Sequence, residues 1–308
     1  MPVYITFLGH VSMDTVQNVN GTNVQPGGAA LYAAVAAKTL TEDVALASVI
    51  GRDFKFIDVL KSFVHLHVKI SALSSTKFVI RYDNRWEAHF LQEEYGAGKK
   101  ISFDLLPKRV LKQNCIVHIS PLPPLRVQKI ISKIRSISPK TKISVNSWIG
   151  YMKSQRNCRI LREIAQETDY FIINDSEAKA LTESDSLSIA LRVLNAKMLV
   201  VTLGEFGAIV NTNKGDVQMV PALRFPVEKI IDTTGAGDTW CGAFLAAYQL
   251  TGDIVKAVTA ASVISSIKCT GWGFSRLFGL KFKDVDSIID YVIGLREGKM
   301  QKRLSEYS

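Results

Sequence analysis

Short apolar runs alternate along this chain with stretches of helical periodicity, and that alternation constrains the fold more than any other feature. Strand-like runs cover residues 3–8, 44–50, 115–119, 142–145, 170–173, 198–202 and 208–211. Helical patterns cover 29–39, 125–137, 176–181, 187–195, 238–250, 253–268 and 284–294. Several strand runs are apolar on both faces, as strands buried between two layers must be. The expectation is an α/β fold with a mainly parallel, doubly wound sheet and helices on both sides. Ligands in such folds sit beyond the carboxyl ends of the strands. Two regions break the alternation: 13–25 is polar and turn-rich, and 76–93 reads as two extended segments with a turn near Asp83 and Asn84. Together they are expected to form a small β lid on a single domain spanning 1–308, excluding water as a competing acceptor.

The run Asp232-Thr233-Thr234-Gly235-Ala236-Gly237-Asp238 leads directly into the helical stretch 238–250. A glycine-rich turn at a helix start leaves backbone N–H groups without partners and adds the positive end of a helix dipole, which makes an anion site. A carboxylate there would compete with the bound anion. It makes sense if it must touch a nucleophilic hydroxyl while the amides hold the phosphoryl group under attack. The plainer reading is a tight turn with a capping Asp.

Lys and Arg number 38 against 28 Asp and Glu, a formal charge of +10, which suits anionic ligands such as nucleotides. The basic residues are scattered, and no nucleic-acid-binding pattern organises them, so nucleic acid is not an expected partner. The densest basic stretch, 296–303, reads as a solvated tail. Cys115, Cys158, Cys241 and Cys269 show no paired spacing and read as thiols of a reducing compartment. The first ten residues hold too short an apolar stretch for a signal peptide, and no run approaches a membrane span. A cytoplasmic protein with no membrane partner is expected.

The 232–238 run, followed by Thr239-Trp240-Cys241-Gly242-Ala243-Phe244, resembles the C-terminal signature of the ribokinase-like (PfkB) carbohydrate kinases. Companion elements stand in family order: Gly9-x-x-x-x-Asp14, Pro26-Gly27-Gly28, Gly51-Arg52-Asp53, Asn174-x-x-Glu177, and Thr202-Leu203-Gly204-x-x-Gly207-Ala208. The resemblance covers nearly the whole chain. It implies the three-layer αβα ribokinase-like fold and an ATP-dependent, Mg2+-assisted kinase acting on a hydroxyl of a small sugar, polyol or nucleoside.

The resemblance also implies roles. Asp238 would be the general base, and the amides of Gly235, Ala236 and Gly237 the anion hole. Asp14, Gly27, Gly28 and Tyr32 would meet the acceptor. Asn174, Glu177, Thr202, Gly204 and Gly207 would shape the nucleotide site, with Glu177 acting on Mg2+ through metal-bound water. Asp232 and Thr234, with the 271–273 backbone, resemble positions that hold a monovalent cation, K+, in some relatives. The helix 253–268 would flank the adenine. The protein would be a monomer, or a homodimer paired through the lid. Three places depart from the pattern: Tyr32 replaces a common Asn, Asn146-Ser147-Trp148 replaces an Asp-Pro-Asn-like sequence, and Ser12-Met13-Asp14 makes the first loop unusual. The stretch 27–33 is similar to the inositol-kinase-like branch.

Rival motifs fail. The stretch Gly96-Ala97-Gly98-Lys99-Lys100 imitates a phosphate-binding loop, but Glu93 stands in place of its first glycine and Lys100 in place of the Ser or Thr that would ligate magnesium. His65-Leu66-His67 reads as an edge pair rather than a metal site, since no partner ligands accompany it. The remaining rival of a different class is a catalytically silent relative that binds nucleotide or sugar as a sensor. The intact Asp238 favours the kinase, because a binder has no need of that carboxylate.

Overall fold

The computed structural model describes residues 4–108, 110–112, 115–212, 215–223 and 229–296. Residue 3, where the first expected strand begins, and residues 297–303 of the basic stretch lie outside them. The strands are β1 (Ile5–Leu8), β2 (Ser12–Asn18), β3 (Gly21–Gly27), β4 (Val44–Gly51), β5 (His65–Ser71), β6 (Thr76–Tyr82), β7 (Ala88–Glu94), β8 (Ile116–Ile119), β9 (Lys142–Asn146), β10 (Tyr170–Asn174), β11 (Met198–Thr202), β12 (Ala208–Thr212) and β13 (Val217–Val220). The helices are α1 (Ala29–Lys38), α2 (Ile57–Lys61), α3 (Pro124–Ile137), α4 (Gln155–Glu167), α5 (Asp175–Thr182), α6 (Leu187–Val193), α7 (Ala236–Thr251), α8 (Ile254–Cys269) and α9 (Val285–Arg296).

The main sheet runs in the order β13-β12-β11-β10-β9-β8-β1-β4-β5. All neighbours from β5 to β11 pair in parallel, while β12 and β13 join antiparallel at one end. β1 lies between β4 and β8, so the chain winds outward in both directions from it. The parallel strands are apolar on both faces because successive side chains point to opposite sides. Tyr170 and Ile172 of β10 enter one core with α1, α7, α8 and α9, whereas Phe171 and Ile173 enter the other with α3, α4, α5 and α6. The result is the three-layer ribokinase-like α/β fold, with one core on each side of the sheet.

Sequence periodicity left out β5 and β13 as members of this sheet. Both are edge strands that meet water: β5 carries His65, His67 and Lys69 and has three exposed residues of seven, and three of the four residues of β13 are exposed. The His65–His67 pair lies along that edge, next to β4. Among the described residues no helix is long and apolar enough to cross a membrane.

A second sheet has the order β3-β2-β6-β7. Residues 13–25 fall in its β2–β3 hairpin and 76–93 in β6, the turn and β7. β2 reads as polar in sequence because its buried residues include Ser12 and Asp14, which are turned inward. Its outer strand β7 meets the main body where the Phe90 ring stands edge-on to Trp148 just after β9, centroids 5.2 Å apart.

α7 is the central helix of its layer, packed between α1 and α8. Its residues Thr239–Ala247 are all buried, as an apolar run without a polar face demands. Trp240, Phe244 and Tyr248 stack along it at four-residue spacing, centroids 5.1 and 5.9 Å apart. Gly242 lies where a methyl group would collide with the main chain of Ala33 in α1. Helix propensity alone would make Gly242→Ala stabilising by roughly 1 kcal/mol, whereas overpacking costs about 1–3 kcal/mol. We expect a net loss in the urea midpoint of Gly242→Ala. A gain would show that α1 and α7 are not in close contact.

Candidate active site

The carboxyl ends of β9, β10 and β11 bring Asn146, Asn174 and Thr202 to one edge of the sheet, and the loop after β1 adds His10. A cavity of about 990 Å3 opens there, between this edge, the N-terminus of α7 and the second sheet. Gly235, Ala236, Gly237 and Asp238 all line it, as do Asp14, Gly28, Tyr32, Asn174, Glu177, Thr202 and Thr234. Gly27, Gly204, Gly207 and Asp232 are not in its lining.

Gly235 caps α7 in the left-handed conformation, with φ 70° and ψ 12°. A side chain there would also strike the ring of Tyr32, so only glycine fits. The first helical bond runs from the Thr239 N–H to the Gly235 carbonyl at 2.8 Å. The Ala236 N–H donates to the Thr233 carbonyl at 3.0 Å. The sequence expectation of an anion hole from Gly235, Ala236 and Gly237 therefore shifts. Of the four amides from Gly235 to Asp238, those of Gly235, Gly237 and Asp238 have no backbone partner. Ala236 instead anchors the turn, its carbonyl accepting from Ser265 Oγ of α8 at 2.9 Å.

Asp238 Oδ1 accepts from Asn146 Nδ2 at 3.0 Å. Burial raises the Asp238 carboxyl to about 6, and the Asn146 bond pulls it back down. Asn146 itself is nearly buried, and the neutral His118 lies beneath it. Sequence reasoning noted position 146 only as a departure, because its partner is 92 residues away. A polar residue at the carboxyl end of a buried parallel strand was the available signal.

Asp14 is 2% exposed, and its Oδ1 has no partner. Burial raises its carboxyl to about 7, Ser12 opposes the rise, and the charges of Asp232 and Asp238 add to it. Gly27 makes room for this carboxylate: a Cβ there would overlap Asp14 Oδ2. Gly28, at φ 98°, passes against the His10 carbonyl where no side chain could fit. His10 joins this end of the cavity without any sequence cue. Burial, helped by Arg126, holds its imidazole down at about 4, and its Nε2 has no partner. His10 Nε2 and Asp14 Oδ1, each a buried polar atom without a partner, suit the hydroxyls of a polar ligand. Tyr32 does not turn its hydroxyl to such a ligand. It is 1% exposed, floors Gly235, and accepts from Gln25 Nε2 at 3.2 Å.

Asn174 and Glu177 form a capping box at the start of α5. Asn174 Oδ1 accepts from the Glu177 N–H at 2.7 Å, and Glu177 Oε2 accepts from the Asn174 N–H at 3.0 Å. The capping role and cavity exposure coexist, for both residues line the cavity. Burial raises the Glu177 carboxyl to about 8, and Asp238 contributes in the same sense. Gly207, at φ 110°, lies against the Val220 carbonyl at the end of β13, so its need for glycine comes from strand packing. Gly204, at φ 59°, faces open space. Among the described residues α8 contributes none to the lining of this cavity. The stretch Gly96–Lys100 is a short 3-10 helix with Gly98 packed on His10, not a phosphate loop.

The site expected to take a free cation already holds a charge. Lys268 Nζ of α8 is 3.3 Å from Asp232 Oδ2 and 2.7 Å from the Asp232 carbonyl, and both side chains are fully buried. Asp232 Oδ2 also accepts from Gln25 Nε2 at 3.0 Å and the Gly273 N–H at 2.9 Å, and Oδ1 from the Thr234 N–H at 2.8 Å. Burial works against the Asp232 charge, but Lys268 and these donors outweigh it and hold the carboxyl below its usual range.

A turn of open amides, an ionisable carboxylate beside it and a cavity at the carboxyl edge of a doubly wound sheet have the chemistry that a group-transfer site for anionic ligands requires. The chain belongs to the pfkB family of carbohydrate kinases, whose family model matches residues 3–276. It is 29% identical over 254 residues to a cytidine kinase of Thermococcus kodakarensis, covering 80% of this chain and 88% of that one. It is 27% identical over 290 residues to a nucleoside kinase of Methanocaldococcus jannaschii, covering 86% and 91%. In fold it is similar to a Burkholderia thailandensis nucleoside kinase solved with inosine, with TM-score 0.74, 18% identity, and coverage of 96% and 97%. None of these three is an inositol kinase, and the match does not single out that branch.

Since burial sets the Asp238 carboxyl near 6 and Asn146 restrains it, activity that needs ionised Asp238 falls as pH drops through about 6. Asn146→Ala removes the restraint, so the acid limb of kcat/KM moves to higher pH. A limb that stays in place would show that Asn146 does not tune this carboxylate.

Proposed function

We propose that the protein transfers the γ-phosphoryl group of ATP to a hydroxyl of a nucleoside. The observation that carries this reading is the pairing of Asp238 with the open amides of Gly235, Gly237 and Asp238 in one cavity. Asp238 Oδ would accept the proton of the attacking hydroxyl, while the amides and helix dipole take up charge on the transferred group. In a loose transition state the hydroxyl loses its proton late, so a carboxylate of modest basicity suffices once it is positioned.

The acceptor end supports a nucleoside over a bare sugar. Phe78, Tyr82, Trp86 and Phe90 of the second sheet, with Trp148 and Tyr151 from the main body, line the cavity on the side of His10 and Asp14. Aromatic faces of this extent match a planar base, while Asp14 and His10 suit its ribose hydroxyls. The two matched relatives named above as cytidine and nucleoside kinases agree with this choice. The second sheet serves as the lid of a single domain, closed by the Phe90–Trp148 contact against water.

The residues present suit a magnesium ion. Glu177 and Asp238 share the cavity, burial raises both carboxyls, and the charge of Asp238 raises Glu177 further, which a divalent ion would relieve. Glu177 would hold it with Asn174 nearby, and the ion would neutralise phosphate charge. The nucleotide phosphates would extend from the α7 turn toward Asn174 and Thr202. Among the described residues the cysteines are free, in keeping with a cytoplasmic, reducing setting.

The reading is tested by ADP release from ATP and Mg2+ with cytidine, adenosine and inosine set against ribose, fructose and myo-inositol. Nucleosides are expected to give the higher kcat/KM. A sugar or polyol preferred over every nucleoside would overturn the acceptor class, and binding without ADP release would favour a sensor. Asp238→Asn is expected to keep nucleoside affinity while lowering kcat by about 10²–10⁴-fold, measured by steady-state kinetics beside equilibrium binding. Unchanged turnover would remove Asp238 from the mechanism.

A further inference from the structure

Lys268 is among the largest fully buried side chains described, and among the described residues its ammonium has one ionic partner, Asp232, which is equally buried. The pair is not an isolated core contact. Asp232 opens the turn that ends at Gly235, and Lys268 Nζ bonds the main-chain carbonyl of Asp232 at 2.7 Å. The N–H groups of Ile231 and Asp232 donate in return to the Cys269 carbonyl at 2.8 and 3.3 Å. The end of α8 thus clamps the start of the turn through main chain and side chain together. The ammonium also lies 5.5 Å from the centre of the Tyr32 ring, on which Gly235 rests. One aromatic ring therefore separates the Lys268 ammonium, which burial disfavours and Asp232 supports, from the amides that face the cavity. Through Gln25, the same carboxylate is tied to β3 of the lid.

Such a position calls for one positive charge with oxygen ligands, sealed from water. A lysine ammonium and a potassium ion are both monovalent cations that such a carboxylate and carbonyl can hold. We propose that the Lys268 ammonium is the built-in monovalent cation of this phosphoryl-transfer site, a positioning residue that fixes the 232–235 turn and biases it toward anions, so that the reaction requires no added K+. This inference rests on the phosphotransfer reading above. The chain has covalently supplied the charge, and the cage is filled at every salt composition. Removing the ammonium leaves Asp232 buried without its counter-charge, and the vacated cage becomes one that K+ or NH4+ can enter but a bulky quaternary ion cannot.

The test compares the wild type, Lys268→Met and Lys268→Ala in KCl, NH4Cl and choline chloride at equal ionic strength. ADP release and the thermal midpoint are both recorded. The wild type is expected to work equally well in all three salts, with an unchanged midpoint. Lys268→Met, of similar shape but uncharged, is expected to lose about 10–100-fold in turnover, as loss of a group supporting a charged site does. Lys268→Ala is expected to regain turnover and thermal stability in K+ or NH4+ but not in choline. A merely structural strut would give variants equally impaired in every salt.

Wild-type activity that needs K+ would overturn the proposal, as would variants with full turnover in choline or a Lys268→Ala protein indifferent to the cation. Should Lys268→Ala fail to fold, the wild-type salt series and Lys268→Met still decide. If no acceptor yields ADP with the wild type, the phosphotransfer reading fails by itself, and the cation-specific midpoint shift of Lys268→Ala still reports on the cage.

Discussion

The whole arrangement depends on one electrostatic juxtaposition: a carboxylate held at the positive end of a helix whose first amides stay open. Left alone, Asp238 would turn back onto those amides as a cap and close the anion site. The Asn146 bond at 3.0 Å holds it toward the cavity instead. The turn keeps its shape because Gly235 adopts a left-handed conformation over Tyr32, and because Asp232 accepts bonds from Gln25, from Gly273 and from the turn's own Thr234. The fold supplies the rigidity. α7 is enclosed by α1 and α8, so its N-terminus cannot drift from the sheet edge that carries Asn146.

Charge is distributed unevenly between surface and site. The chain carries +10 overall, yet the cavity gathers Asp14, Glu177 and Asp238, all pushed up by burial. A basic exterior draws in polyanions, while on the proposed reading the acidic interior would leave the phosphates to be met by amides, helix dipole and a divalent cation. Burial raises all three carboxyls above the ordinary carboxylate range, Asp238 to about 6, Asp14 to about 7 and Glu177 to about 8, so Asp238 is the least raised of the three.

Much of this was legible in the sequence, for identifiable reasons. Strands buried on both faces announce themselves as apolar runs, so the centre of the sheet could be read directly. β5 and β13 could not, because an edge strand alternates with water and carries His, Lys and Gln. Contiguous chemistry was also legible: the 232–238 turn and the Asn174–Glu177 box each lie within a few residues. What escaped were partners brought together by folding. Gln25 meets Asp232 across 207 residues, Lys268 across 36, and Asn146 meets Asp238 across 92. Composition and spacing carry no trace of such pairings. The Tyr32 substitution was noticed, but its meaning was not, because its ring turned out to support the turn from below.

The most direct test is a crystal structure with ADP, Mg2+, a nucleoside and a planar fluoride mimic of the phosphoryl group. The account predicts the mimic within hydrogen-bond reach of the Gly235, Gly237 and Asp238 amides, with a ribose hydroxyl between it and the Asp238 carboxylate. A mimic seated away from that turn, or a hydroxyl facing another base, would contradict it.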